Sequence, residues 1–357
     1  MNRISFLRPR PLWLATLGLC ALIGSASAEQ AKQDPLEQET IDWRKANDGV
    51  SQFERGHADV LKWDKANSNP VKDLPFATPD VMMPTADVAV RLAWRGHPAW
   101  ADSLAQLGTA NQAHIAAGNW LEVDPAVRRR VEDFDEILEA AADARKAWFE
   151  VVAAQTGLKL QYEIEEAYAT AGELARRMVR VGNWSRLEQA QSQSRLIAVK
   201  QQTLKTQLEA EQAQVHLFKA LRLRGVYSTV GLPEALSDLP KQAISADTVD
   251  KALTSIRAVL PRSEAIYSQS TVSQAFSAYK ASYSMAQLAL DEQKVNVFMY
   301  DETVLRYNGM LLSVWDLLAQ SSAKLHADLA VLNAQRDYLM AETNLQMTLQ
   351  GVTAAKF

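Results

Sequence analysis

The residues of this sequence that could carry chemistry are five histidines, several carboxylate pairs and a Met-Met dipeptide. His57, His97, His114, His216 and His326 could ligate a metal or move protons near neutral pH. No two stand three or four positions apart, and none belongs to an HExxH or ExxH pattern, so no helix face offers a paired ligand set. Met82-Met83 with His97 would be soft donors of the kind copper takes, but methionine at this density is ordinarily core filler. Glu165-Glu166 and the run Glu132, Asp133, Asp135, Glu136 fall in stretches where a solvated helix face accounts for them. Arg128-Arg129-Arg130 precedes that acidic run, and ion pairing explains it better than phosphate binding. No GxSxG elbow, glycine-rich phosphate loop or dinucleotide fingerprint is present. The residues give no catalytic, cofactor-binding or metal site, and the expectation is a protein that is not an enzyme.

The elements that would position any site begin with an export leader. Arg3, Arg8 and Arg10 precede an apolar run at 12–24, and Ala26-Ser27-Ala28 has the small residues of a cleavage site. Residues 1–28 therefore read as a signal peptide, with an apolar run shorter than the roughly 20 residues a membrane span needs. Removing it takes the formal charge from −4 to −7 and takes away Cys20, the single cysteine. The mature chain then has no thiol for a disulfide or a metal. That charge argues against a general nucleic-acid binder. The expected location is the periplasm or the periplasmic face of the outer membrane.

Proline placement divides the rest. None of the 12 prolines lies between Ala126 and Leu232 or between Arg262 and Phe357. Both stretches are rich in Ala, Leu, Gln, Glu, Lys and Arg, the composition of long helices. The reading is an N-terminal arm at 29–84 with a short helix near 40–66, a first helical repeat at 85–230, a connector loop at 231–251 and a second helical repeat at 252–357. Apolar and small residues recur at spacings of 4 and 3. The first series is Leu160, Ile164, Ala167, Ala171, Leu174, Met178, Val181. The second is Leu187, Ala190, Ser194, Ile197, Gln201, Leu204, Leu208, Glu211, Val215, Phe218. The third is Leu311, Trp315, Leu318, Ser322, Leu325, Leu329, Leu332, Arg336, Leu339, Thr343. Such a repeat implies supercoiled packing against neighbouring helices.

Two segments look like copies of one turn. Gly182-Asn183-Trp184-Ser185 with Glu188, and Asn308-Gly309 with Ser313, Trp315 and Asp316, each place a Gly/Asn turn before a serine and an acid three residues on. That is the capping-box pattern at a helix start. The serines stand 128 positions apart, the mark of a duplicated hairpin. About 38 helical residues are expected after each, ending near Gly225 and Gly351. The fold class is all-α: long antiparallel hairpins in two sequence-related repeats with coiled-coil packing and little or no β. Trp184 and Trp315 fall at the two tips, where aromatics either pack locally or anchor a partner.

On these residues the chain resembles the TolC-type outer-membrane efflux proteins. ELARRMVRVGNWSRLEQAQ (173–191) is similar to the first hairpin turn of that family. DETVLRYNGMLLSVWDLLAQ (301–320), followed by NAQRDYLMAETNLQMTL (333–349), is similar to the second. DVAVRLAWRGHPAW (87–100) resembles the opening helix and GLPEALSDLP (231–240) the equatorial connector. The form RYNGMLLSVWDLL is similar to a subgroup often associated with copper-handling clusters. The resemblance implies a trimer, a periplasmic helical duct in envelope efflux that extends to metal ions, and tips facing a periplasmic adaptor and an inner-membrane pump. It also implies four membrane strands per chain. The available slots, 114–127 and 261–276, are too short for two strands and a loop each, so a shortened member without the barrel strands is expected. The second reading is a soluble periplasmic scaffold that uses the same hairpins to bind efflux or metal-resistance partners without forming a pore.

Overall fold

The computed structural model describes residues 79–352 apart from 224–226 and 228. The expected signal peptide, and the arm as far as residue 78 with its expected helix near 40–66, lie outside the described residues. The described chain is dominated by two helical hairpins. In the first, α4 (Phe134–Arg180) is followed by α5 (Arg186–Ala220). In the second, α7 (Arg262–Asn308) is followed by α8 (Val314–Leu349). α4 and α7 have 47 residues each, α5 has 35 and α8 has 36. At 1.5 Å per residue the longer pair run about 70 Å. The start and end of α4, and the start of α5, recur 128 positions later in α7 and α8, so the duplication read from two serines extends through the whole hairpin.

The hairpins lie side by side in the order α5–α4–α8–α7. A methyl group placed on Gly157 of α4 would lie 3.3 Å from Leu329 Cδ1 and 3.7 Å from Leu332 Cδ2 of α8, so the two hairpins meet there. On α7, Tyr279 and Tyr283 pack on Tyr338 of α8 at ring separations of 5.6 and 5.7 Å. At the end away from the tips lie three short helices, α1 (Ala86–Arg95), α2 (Ala101–Leu107) and α3 (Thr109–Ala117); α1 and α3 pack on α4, and α2 packs on α3. α1 lays Ala89, Val90, Ala93 and Trp94 on α4. Trp94 Nε1 donates to the Ile137 carbonyl at 3.2 Å, and Trp148 Nε1 donates to the Met83 carbonyl at 2.9 Å. The two bonds fix α1 antiparallel to α4.

This basal end holds the core. Trp120, Ile137, Leu138, Leu217, Tyr279 and Tyr338 are buried there. Arg128 clasps it: Nη1 donates to the Gln350 carbonyl at 3.0 Å and Nη2 to Asp135 Oδ2 at 2.7 Å. Gln350 Nε2 donates to the Trp120 carbonyl. Toward the tips the packing thins. Every buried residue of α4 except Ala175 lies at or before Ile164, and α5 buries none before Thr203.

Several expectations need correction. The connector at 231–251 is not loop throughout. Ser245 Oγ accepts the Thr248 N–H and starts α6 (Ala246–Arg257) inside it. α5 ends at Ala220 rather than near Gly225, because Arg222 takes the left-handed conformation (φ 53°) and the Leu223 N–H returns to the Phe218 carbonyl. The arm's last residues form β1 (Val81–Met82), which pairs in parallel with β2 (Val230–Gly231). Among the described residues β1 and β2 are the strands, beside a lone bridge at Tyr227. The slot at 114–127 holds the end of α3 and two short 3-10 turns. The slot at 261–276 is the start of α7, so the alternation at 265–272 is helical. No described helix is long and apolar enough to cross a membrane.

The seam of α5 also differs from its reading. The α4 series is covered as far as Met178, and the α8 series is covered from Trp315 onward. On α5 the face turned to α4 is instead Gln189, Ser192, Leu196, Val199, Thr203, Thr206, Ala210, Ala213 and Leu217. This series has the same period, two positions displaced from the expected one. Its small residues let α5 sit close against α4. The expected series is exposed from Leu187 to Val215, and its apolar members Leu187, Ile197, Leu204, Leu208 and Val215 are 52–68% accessible.

Candidate functional site at the hairpin tips

The tips are built by local chemistry in matching fashion. At the end of α4 the Gly182 N–H donates to the Val179 carbonyl and the Asn183 N–H to the Met178 carbonyl. At the end of α7 the Met310 N–H donates to Tyr307 and the Leu311 N–H to Arg306. Both are Schellman turns. Gly182 carries the left-handed residue of the first turn (φ 79°) and Met310 that of the second (φ 57°). The expected turn glycine of the second tip, Gly309, is the C-cap at φ −78° and has no need of glycine. It follows Asn308, the last residue of α7.

Each return helix opens on a complete capping box. Ser185 Oγ accepts the Glu188 N–H at 3.2 Å, and Glu188 Oε2 accepts the Ser185 N–H at 2.8 Å. Ser313 and Asp316 repeat the arrangement at 3.2 and 2.9 Å. The bonds from Ser185 and Ser313 hold both carboxyls below the usual carboxylate range, the backbone bond being the larger for Glu188 and the hydroxyl bond for Asp316.

The two tips meet through their tryptophans. Trp184 and Trp315 stack with ring centroids 4.3 Å apart and planes 19° from parallel. The structure therefore brings together Trp184, Trp315 and Glu188 around a groove of about 310 Å³, with Tyr168 of α4 and Arg195 of α5. Sequence reading missed Tyr168 and Arg195, since neither belongs to a turn. Around the tips Val181, Leu187, Leu305, Met310 and Leu311 present apolar surface to solvent, Met310 at 93% accessible.

The histidines and methionines weighed for metal fall elsewhere. Met83 is buried in the basal core, and His97 stacks on Trp100 at 3.9 Å with Nδ1 2.9 Å from the Ala93 carbonyl. His216 Nδ1 lies 2.8 Å from Glu150 Oε2, joining α5 to α4.

No family model matches the sequence, and no curated protein matches it. Among solved structures the chain is similar to CusC, described in connection with folding and transmembrane channel formation, at 10% identity and a TM-score of 0.47 over 75% of this chain and 92% of that one. It is similar to the outer membrane channel CmeC of Campylobacter jejuni at 12% identity and a TM-score of 0.47, over 76% and 86%. It is also similar to the open state of the outer membrane channel MtrE of Neisseria gonorrhoeae at 12% identity and a TM-score of 0.44, over 76% and 90%.

Proposed function

We propose that several copies of the chain close head to tail into a periplasmic helical tube that serves envelope efflux, with the hairpin tips as the surface that meets the pump's periplasmic adaptor. The observation that carries this is the internal repeat. Trp315, Leu318, Ser322, Leu325, Leu329 and Leu332 form the α8 stripe at the joint between the hairpins: Trp315 stacks on Trp184, Leu318, Ser322 and Leu325 line grooves with Ala167 of α4, and Leu329 and Leu332 reach Gly157 of α4. Shifted back by 128 positions, these are Leu187, Ala190, Ser194, Ile197, Gln201 and Leu204, the exposed stripe of α5. The α4 residues under α8, Gly157, Leu160, Ala167 and Ala171, correspond to Met285, Leu288, Val295 and Met299 of α7, which are 46–69% accessible. Each edge of the four-helix layer thus carries one half of a joint already made once inside the chain. Joining α5 of one copy to α7 of the next repeats that joint, and a heterologous contact of this kind gives a ring where its rotation closes. Three copies, the number the family resemblance implies, place six hairpins round it.

The helix pair binds no small molecule in this reading; its work is to form a wall. Metal ions as cargo rest on the subgroup resemblance alone. The test is a disulfide across the joint. Leu329 and Leu332 flank Gly157, so Leu204 and Met285 of adjacent copies should be neighbours, and the only cysteine in the sequence is Cys20 of the leader. A chain carrying Leu204→Cys and Met285→Cys should oxidise to a ladder that ends at the closed ring. Light scattering that finds a well-folded monomer at micromolar concentration, with no ladder, overturns the tube. Fractionation then separates a duct component, recovered with the outer membrane, from a soluble scaffold.

A further inference from the structure

One groove at the base of the molecule gathers cations without a carboxylate among them. Arg91, Trp94 and Arg95 of α1, His97 just past it, Leu104 of α2 and Gln112 of α3 line a space of about 350 Å³, and no acidic residue shares the lining. Arg91 and Arg95 stand one helical turn apart, a spacing at which like charges repel. Arg91 reaches Asp87 only at 3.9 Å, and Arg95 has no hydrogen bond or ion pair among the described residues. His97 is fixed in place. Its ring stacks on Trp100 with planes 3° apart, and its Nδ1 donates to the Ala93 carbonyl. Nε2 is the ring nitrogen left for a ligand, and it donates when the imidazole is protonated. The carbonyls that end α1 are already taken: the Gly96 N–H bonds those of Leu92 and Ala93, and the His97 N–H bonds that of Trp94. The groove therefore presents donors and few exposed acceptors to an incoming anion.

A further cation is held nearby at a conformational cost. α5 and α8 end on turns of the same kind, with the Leu223 N–H on the Phe218 carbonyl and the Val352 N–H on the Met347 carbonyl. α8 gives the left-handed place of that turn to Gly351 (φ 80°), whereas α5 gives it to Arg222 (φ 53°), where a side chain is disfavoured. Gly96 makes room for the α5 turn. Its own φ of −68° suits any residue, but a methyl group there would lie 3.0 Å from the Leu221 carbonyl oxygen and 3.2 Å from Arg222 Cβ. Arg222 is thereby set beside the segment that carries Arg95 and His97. It is exposed and has no hydrogen bond or ion pair among the described residues. The fold gains nothing from its guanidinium, and backbone strain of this kind concentrates at ligand sites. We propose that the groove and Arg222 together form a binding site for a phosphate monoester. Three guanidiniums match the nearly double negative charge of that group better than the single charge of a carboxylate, and each can donate to it in pairs. A soluble ester and a lipid headgroup present the same phosphate. The site is built within one chain at the end away from the tips, so it stands or falls independently of the tube.

The experiment titrates the full mature chain with glycerol 3-phosphate and with acetate by calorimetry, and sediments it with phosphatidylcholine vesicles that contain or lack phosphatidic acid. Glycerol 3-phosphate should bind at least tenfold more tightly than acetate, with the affinity falling as salt is raised. Arg95→Gln should weaken it at least tenfold. Arg222→Gly separates the site from the scaffold: relief of the backbone should raise the thermal midpoint while the affinity falls at least fivefold, two changes of opposite sign that a merely structural arginine would not give. Arg257→Gln, at an arginine that bonds Gln269 outside the groove, should change neither. Pelleting with phosphatidic acid vesicles in the absence of glycerol 3-phosphate binding upholds the site and assigns it to a lipid headgroup, and the reverse assigns it to a soluble ester. No saturable binding in either arm overturns the inference. So does acetate bound as tightly as glycerol 3-phosphate, or an affinity indifferent to Arg95→Gln or to Arg222→Gly.

Discussion

Met310 holds, at φ 57°, the left-handed conformation that Gly182 holds at φ 79° in the other hairpin turn. The two are the same position of the duplicated turn, 128 residues apart. A side chain costs roughly 1–2 kcal/mol in that conformation, and Met310 is too exposed to recover it by packing. Met310→Gly should raise the stability of the monomeric chain by about 1 kcal/mol, and Gly182→Met should lower it by a similar amount. Urea unfolding measures both. The apolar Met310 tip kept at this cost is consistent with a surface selected for contact.

The tryptophan stack ties the two hairpins at their least packed end. Trp184→Ala, Trp315→Ala and the double variant form a cycle whose coupling should be about 0.5–1.5 kcal/mol. A coupling indistinguishable from zero would show that the rings merely lie near each other.

Leu208 and Ala210 stand two residues apart on α5 with opposite surroundings. Leu208 is half exposed on the outer stripe and Ala210 is buried against α4. Leu208→Asp should leave chain stability within about 0.5 kcal/mol while dispersing the proposed tube. Ala210→Asp should cost more than about 2 kcal/mol, because it buries a carboxylate without a partner. Thermal unfolding at low concentration and light scattering at high concentration read the two effects separately.

Glu342 supplies a pH dependence. It accepts from the Tyr338 hydroxyl at 3.1 Å and faces the buried guanidinium of Arg145, which donates to the Ala116 carbonyl at 3.0 Å. Burial pushes Glu342 above the usual carboxylate range, and the tyrosine bond and Arg145 oppose it only in part. A raised acid binds its proton more tightly folded than unfolded. Its contribution is therefore complete below the ordinary Glu value and is lost as pH rises through the raised one. Asp135 and Glu139 are raised too, chiefly by burial. Stability should increase as pH is lowered from neutral into mild acid, and Glu342→Gln should flatten that slope in melts taken across the range.

What the sequence made legible was local. Ser185 with Glu188 and Ser313 with Asp316 are read within four residues, and a run free of proline gives helix length directly. The partner of each helix face was another matter. α5 carries two series with the same 3.5-residue period, and periodicity cannot say which one a small-residue neighbour selects. The leucine-rich series looked like the seam, but the close approach to α4 takes Ala210 and Ala213. The left-handed Met310 was hidden because its residue type opposes its conformation, with Gly309 next to it drawing attention. Arg195 and Tyr168 gain significance only when three helices bring them beside Trp184 and Trp315. A two-residue strand such as Val81–Met82 has no period to read.

Trp120 bonds both Gln346 and Gln350, and Arg128 bonds the Gln350 carbonyl, so the longest-range hydrogen bonds among the described residues gather at one end. Each hairpin, in contrast, joins neighbours through a turn of a few residues. Loop-closure entropy makes the near contacts form early and the distant ones late. During refolding, therefore, the rods should zip from their tips before the far end is fastened. An arrested chain would be a splayed fork, helical by circular dichroism yet open to protease around residues 119–133.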